Sequence, residues 1–340
     1  MHWSRRNFCL ALGAGTLGGL AGIHSHALAA PQSLVPVSRT SRALGSDVSI
    51  SVYHESKAGG EAALDQAFRA LDEVEEAMSL YRPSSEISRL NRDGILRQPH
   101  RFWGEVLDLA ERLARDSDGK FDITVQPLWL LHSRSHKEER VPRADELSAA
   151  CRLIDWTGLQ RNDHEIRLAR PGMAITLNGI AQGFAADRCL EALRAAGVYH
   201  AMVNTGEIGS LGSKPGARPW RAGIQHPREE DAYIALADLD GRCLATSGDY
   251  ATTFGGGRGD HHLFDPKTGR SAREFSSVSI VAPSGLLADG LSTAVFVLGP
   301  ERGLDLVRAT AKCDALCVLT NGRVLRTAGF PLVREEEAGQ

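Results

Sequence analysis

Apolar residues recur along this chain with two distinct periods. From Asp47 to His54 the sequence DVSISVYH alternates, as a strand with one buried face does. GGEAALDQAFRALDEVEEAMSLY follows, with Leu64, Phe68, Leu71, Val74 and Met78 on one helical face. The pattern predicts a second helix from Phe102 to Ser117, ended by Asp118–Gly119, and a shorter one over about 143–155. GLQRNDHEIRLAR reads as a hairpin around Asn162–Asp163. At 175–177 the run ITL reads as a strand that meets Asn178–Gly179 and passes into the helix IAQGFAADRCLEAL. Strands then dominate to about residue 282, and two helices follow near 286–297 and 301–312. ALCVLTNGRVLRT closes as a hairpin at Asn321–Gly322, a strong turn signal. Strands and helices mix without regular βαβ alternation, so the pattern predicts an α+β fold rather than a doubly wound sheet.

Composition changes that picture little. With 340 residues, 42% hydrophobic and 24% charged, this is an ordinary globular chain. Its formal net charge of -3 argues against nucleic acid as a partner, which calls for a basic face. The N-terminus is more telling. Arg5–Arg6 precede an apolar, glycine-rich run from Phe8 to Ile23, and Ala27-Leu28-Ala29 follows as a cleavage signal. Ser4-Arg5-Arg6-Asn7-Phe8 fits a twin-arginine export signal, which predicts a periplasmic protein. The run is too short and glycine-rich for a membrane span, so no integral span is expected in the mature chain. Beyond Cys9, five scattered cysteines read as buried free thiols rather than a disulfide framework or a zinc site. A polar boundary is read at 132–142, HSRSHKEERVP. His132 and His136 stand there at i,i+4 spacing that can bind a metal, but the charged surroundings read as a loop.

Four polar clusters could carry chemistry. Ser79 to Glu86, with Tyr81 at a helix end, offers a ring that can stack on a flat ligand; alone, it is a cap and turn. Asp118-Gly119-Lys120-Phe121-Asp122 breaks a helix and presents backbone donors. The stretch ITLNGIAQGF places glycines and a helix start together, a combination that suits phosphate or, equally, close packing. The last third holds His261-His262-Leu263-Phe264-Asp265-Pro266-Lys267-Thr268-Gly269, then Ala288-Asp289-Gly290-Leu291-Ser292-Thr293-Ala294. The carboxylate and hydroxyls of that last run suit a hard cation such as Mg²⁺; they also suit a helix cap.

Taken in order, Tyr-Arg-Pro-x-Ser-Glu, Gly-x-Phe-Asp-x-Thr-Val-x-Pro-Leu, Gly-Ile-Ala-x-Gly-Phe-Ala-x-Asp, His-x-x-Asp-Pro-x-Thr-Gly and Ala-Asp-x-Leu-Ser-Thr-Ala resemble the FAD:protein FMN transferase, or ApbE, family. The resemblance runs from about residue 43 to 328. It divides the chain into a signal peptide at 1–29, a linker at 30–42, the transferase domain at 43–328 and a tail at 329–340, whose last stretch REEEAGQ reads as frayed. It implies mixed sheets with packed helices and an FAD site in a cleft between lobes. It also implies an enzyme that uses Mg²⁺, or Mn²⁺ with the same ligands, to move FMN from FAD onto a threonine or serine of an acceptor protein, releasing AMP. By resemblance, Tyr81 contacts the flavin, and Lys120, Phe121 and Asp122 hold FAD. Asp289 and Thr293 coordinate the cation, with the carbonyls of Gly179 and Ser292. His262, three residues before Asp265, deprotonates the acceptor hydroxyl. Leu44 and Leu263 lie near the FAD, Leu44 in place of a family methionine.

The chain departs from the family form Asp-x-Gly-Gly-Ile-Ala-Lys-Gly. Thr176 stands for the acid, Asn178 for a glycine and Gln182 for the lysine, with Thr176 and Gln182 kept among the FAD-binding residues. One acid and one base are absent together, which reads as a paired exchange. The form Asn-Gly-Ile-Ala-Gln-Gly, with Gly206-Glu207-Ile208, resembles the NosX branch, linked to nitrous-oxide reduction. Two other readings stand beside transfer: a periplasmic FAD carrier, or an FAD pyrophosphatase yielding FMN and AMP.

Overall fold

The computed structural model describes residues 34–255 and 259–333. Its first half comprises β1 (Val35–Ala43), β2 (Ser46–His54), α1 (Lys57–Met78), α2 (Glu86–Asp93), β3 (Ile95–Arg97), α3 (Phe102–Asp116), α4 (Gln126–Lys137), α5 (Ala144–Cys151), β4 (Leu159–Arg161) and β5 (Glu165–Leu168). Then come α6 (Ala181–Ala195), β6 (His200–Asn204), β7 (Ile208–Leu211), β8 (Trp220–Gln225), β9 (Tyr233–Leu239) and β10 (Cys243–Gly248). The chain ends with β11 (Phe264–Asp265), β12 (Arg270–Ser271), β13 (Phe275–Ala282), α7 (Gly285–Leu298), α8 (Pro300–Ala309), β14 (Asp314–Leu319) and β15 (Val324–Arg326). The α+β expectation holds. Among the described residues no helix is long and apolar enough to cross a membrane.

Eight strands form one antiparallel sheet in the order β1-β2-β6-β7-β10-β13-β14-β15. Alternation sends their side chains to two different cores. Val278, Ile280, Ala315 and Cys317 meet the helices α1, α3, α6 and α7 on one face. Val281, Leu316 and Val318 meet Trp220, Ala222 and Leu239 of the β8–β9 ribbon on the other. Every residue of β13 is buried, because it runs between both layers. A satellite core of Leu128, Leu131, Ala150 and Phe264 joins α4 and α5 to the β11 turn.

Helices α6 and α7 cap each other. Asp187 of α6 accepts the backbone N–H groups of Gly285 (2.6 Å) and Leu286 (2.8 Å) at the start of α7. Asp289 of α7 accepts the N–H of Gly183 (2.9 Å) at the start of α6. Each carboxylate thus satisfies amides that a helix start leaves unpaired, where the helix dipole favours negative charge. Gly183 permits the approach: a Cβ there would lie 2.0 Å from the carbonyl oxygen of Gly285. Gly183→Ala must push the two helices apart, so it should lower stability by the upper end of ~1–3 kcal/mol or more. Urea unfolding checks this, and a variant as stable as the parent would show that the backbones can part freely.

Four readings of the sequence are corrected. ITL at 175–177 forms no strand and joins no sheet. The side chain of Asn91 takes over the pairing, donating to the Ile175 carbonyl (2.8 Å) and accepting the Ile175 N–H (2.7 Å). Residues 132–137, read as a loop, finish helix α4, which starts with a proline in its first turn and ends in Arg134, His136 and Lys137. The charges of Arg134 and Lys137 suit the negative end of the helix dipole. His132 is buried, stacks on Phe264 and bonds the Gly269 carbonyl at 3.0 Å. The linker read at 30–42 contains most of β1, which pairs with β2 along its whole length. The tail read from 329 is packed as far as it is described: Phe330 is buried, and Val333 donates to Leu236. The signal peptide and residues 334–340 lie outside the described residues. The five cysteines within them are free thiols.

Candidate active site

A cleft of about 630 Å³ opens where the β1–β2 turn, the 120–125 stretch, the start of α6, the middle of α7, residues 250–252 and residues 262–264 meet. Leu44, Tyr81, Lys120, Phe121, Asp122, Thr176, Gly179, Gln182, His262, Leu263, Asp289 and Thr293 all line it. Ser292 does not.

At one end the β1–β2 hairpin turns through Leu44–Gly45, with φ of 50° and 78°. Both central residues of such a two-residue turn need positive φ, which glycine and asparagine accept and leucine resists by roughly 1–2 kcal/mol. Surroundings hold the strained residue in place. The Leu44 N–H donates to Glu75 (2.8 Å), and the Gln182 amide donates to the Ser46 hydroxyl (2.6 Å). Gly45 lies against the Tyr81 ring, where a Cβ would come within 2.8 Å. Tyr81 keeps 65% of its surface exposed, so a ring face is free for a ligand. Opposite, Lys120 is not a free cation: its ammonium pairs with Asp265 at 2.6 Å. The Asp122 carboxylate accepts both the N–H and hydroxyl of Thr124, and the Trp156 N–H. Burial raises its pKa to about 6 against those bonds. Both side chains therefore brace the loop that lines this part of the cleft.

The other end is built of oxygen. Thr293 faces Gly179, where a Cβ would meet its hydroxyl at 2.8 Å, so the bare backbone is required. Ser247 bonds Thr293 (3.2 Å) and Ser292 (2.8 Å). Ser292 is wholly buried and donates to the Asp289 carbonyl at 2.9 Å. It is expected as a cation ligand from the sequence, but it stands behind Thr293 and reaches the cleft only through Ser247. Its own carbonyl lies in the interior of α7, committed to the helix. Glu207, carried by the β6–β7 turn, completes this end and accepts the Thr246 N–H at 3.0 Å. Burial, with Asp187 nearby, raises Asp289 to about 7. Burial and the facing Asp289 push Glu207 well above the carboxylate range. Glu207, noted in the sequence only within Gly206-Glu207-Ile208 and given no role there, is a functional candidate that the sequence did not single out; an acid at a strand turn carries no spacing signal. Among the described residues no three His, Cys, Asp or Glu side chains converge to hold a metal alone. Two crowded carboxylates beside a hydroxyl and an open carbonyl do fit Mg²⁺, which takes few protein oxygens and fills its shell from ligand phosphate and water.

The two histidines separate cleanly. His261 is buried, and both its nitrogens serve backbone: Nε2 bonds the Ala272 carbonyl and Nδ1 accepts the Leu263 N–H. Nδ1 of His262 meets the Thr252 carbonyl at 3.2 Å. A carbonyl only accepts, so Nδ1 carries the proton and Nε2 keeps a lone pair at the cleft wall. Burial lowers the His262 pKa to about 4.

The amide-rich stretch is not a facing pair. Gln182 reaches Ser46 and packs on Gly206, whereas the Thr176 hydroxyl accepts the Asn178 N–H at 3.2 Å. Its residues have separate tasks: Gly179 exposes backbone to Thr293, Gly183 admits α7, and Gln182 pins the strained turn.

Comparison with known proteins places the chain in a family. The model of the ApbE family matches residues 44–317. A FAD:protein FMN transferase of Treponema pallidum is 30% identical over 344 residues, covering 95% of this chain and 92% of the relative. The enzyme of the same name from Haemophilus influenzae is 32% identical over 274 residues, 76% of this chain and 79% of its own. Among solved structures, the flavin transferase ApbE from Vibrio cholerae superposes with a TM-score of 0.75 at 27% identity, covering 86% of this chain and 97% of that one. An ApbE protein from Thermotoga maritima gives 0.77 at 28% identity, with coverage of 86% and 97%.

Proposed function

Since the chain belongs to the ApbE family, we propose that it transfers FMN from FAD to a threonine or serine hydroxyl of an acceptor protein, with AMP as the other product. The observation that carries this reading is the convergence in one cleft of a neutral histidine, an exposed tyrosine ring and an oxygen-rich end suited to a cation. FAD is laid with its flavin against Tyr81, Leu44 and Phe121 and its pyrophosphate toward Asp289 and Thr293. Nε2 of His262 takes the proton of the acceptor hydroxyl. The oxygen bonds to the phosphorus on the FMN side, the bond from that phosphorus to the bridging oxygen breaks, and AMP leaves with the electron pair. Mg²⁺ held by Asp289, Thr293, the Gly179 carbonyl and Glu207 would supply positive charge where the leaving oxygen gains negative charge. The twin-arginine motif supports work in the periplasm, and the Asn-Gly-Ile-Ala-Gln-Gly form supports a NosX-like role in nitrous-oxide reduction.

One incubation tests the reading against its rivals. Purified protein, FAD, Mg²⁺ and a candidate acceptor domain should yield a flavin-fluorescent acceptor on a denaturing gel. Free FMN and AMP would indicate a pyrophosphatase, and intact bound FAD a carrier.

The pH dependence follows from the lowered His262 pKa of about 4. Above that pH the ring is neutral and able to accept a proton, so at saturating Mg²⁺ the acid limb of kcat should lie near pH 4. Asp289, at about 7 without a cation, binds protons in competition with Mg²⁺, so more Mg²⁺ should be needed as pH falls below 7. A limb near the ordinary histidine value of about 6.5 would contradict the buried-base account.

A further inference from the structure

The base of the cleft wall that carries His262 is held by a charge pair that no step above uses. Arg228 follows β8 at the turn of the β8–β9 ribbon. Its guanidinium makes two parallel bonds to Asp249, each 2.7 Å, and a third to the Ser276 hydroxyl at 2.6 Å. Asp249 is only 3% exposed and sits directly after β10. Its own N–H donates to the Ser276 carbonyl at 3.0 Å. Three separate parts of the fold, the ribbon, β10 and β13, are thereby tied at one point. Paired bonds from a rigid fork fix orientation as well as distance. From that point Tyr250, Ala251 and Thr252 run along the cleft. Thr252 ends the run with a carbonyl that accepts the His262 N–H at 3.1 Å and meets Nδ1 at 3.2 Å.

We propose that Arg228 is a positioning residue. Through Asp249 it fixes the 249–252 segment, and the Thr252 carbonyl in turn holds His262 in its Nδ1–H tautomer with Nε2 toward the cleft. The consequence for rate rests on the reading of His262 as the base; the consequence for the tautomer does not. Without the tie, the carbonyl can drift from the ring, and displacement on the order of 1 Å at a reacting group costs up to about 10²-fold in rate.

Arg228→Gln alone leaves Asp249 buried without its partner and could unfold the protein. Arg228→Gln/Asp249→Asn removes both charges while keeping shape. Arg228→Lys keeps charge without the fork. Three quantities should be read on full-length protein: kcat, FAD affinity, and the ¹⁵N shifts of the His262 ring, identified by their absence in His262→Ala. In the double variant kcat should fall roughly 10- to 100-fold at near-parent FAD affinity, with ring shifts moving to a mixture of tautomers. Arg228→Lys should recover both only in part. A folded double variant that keeps the Nδ1–H pattern overturns the proposal, whatever its rate. A changed tautomer at unchanged kcat upholds the positioning and instead removes His262 as the base.

Discussion

His262→Ala slows FMN transfer by roughly 10²–10⁴-fold and leaves FAD affinity near that of the parent. An alcohol is a poor nucleophile until its proton is removed, and Nε2 of His262 is the lone pair the cleft offers for that task. The proton belongs to the acceptor, so ground-state binding of FAD is untouched. His261 cannot substitute, since both its nitrogens are engaged by backbone inside the core. Raising pH should recover part of the rate, because more of the acceptor ionises unaided. Equilibrium FAD titration beside single-turnover kinetics decides the matter: a fall in affinity as large as the fall in rate makes His262 a ligand contact rather than the base.

Asp289→Asn reduces transfer on the order of 10²–10³-fold. Asparagine keeps an oxygen for the Gly183 N–H that Asp289 accepts now, so the cap of α6 persists while the charge is lost. Asp289→Ala loses cap and charge together and should be less stable as well as inactive. The carboxylate touches the helix start and the cation site at once, so charge and fold separate only with the isosteric change. Binding of Mn²⁺ in the presence of FAD, followed by electron paramagnetic resonance, should weaken in parallel with the rate. Near-parent transfer by folded Asp289→Asn at low Mg²⁺ would remove this residue from the cation site.

Much of this was legible in the chain because it is written locally. The helix at 57–78, the hairpin at Asn162–Asp163 and the Asn321–Gly322 turn follow from periodicity and turn chemistry, and each is present. Ordered motifs likewise named most of the cleft wall, although its members come from distant parts of the chain. What stayed hidden depends on partners far apart in sequence. ITL looks like a strand until Asn91, 84 residues away, satisfies its backbone. Gln182 looks like half of an exchanged pair until Ser46 is found against it, 136 residues away. Glu207 appears in the sequence only within a branch likeness that assigns it no role, and its importance comes from facing Asp289. Ser292 was legible as a hydroxyl on the right helix, but a helix turns about 100° per residue, and that rotation puts Thr293 in the cleft and Ser292 behind it.

The central claim is that the bond broken lies in the pyrophosphate of FAD and the bond made joins FMN to a protein hydroxyl. Intact-mass spectrometry of a candidate acceptor domain, after incubation with this protein, FAD and Mg²⁺, reads both events when AMP is quantified in the same sample. The account predicts acceptor mass raised by FMN less water, one AMP per modified acceptor, and loss of both in Asp289→Asn. AMP formed with free FMN and an acceptor of unchanged mass would contradict it.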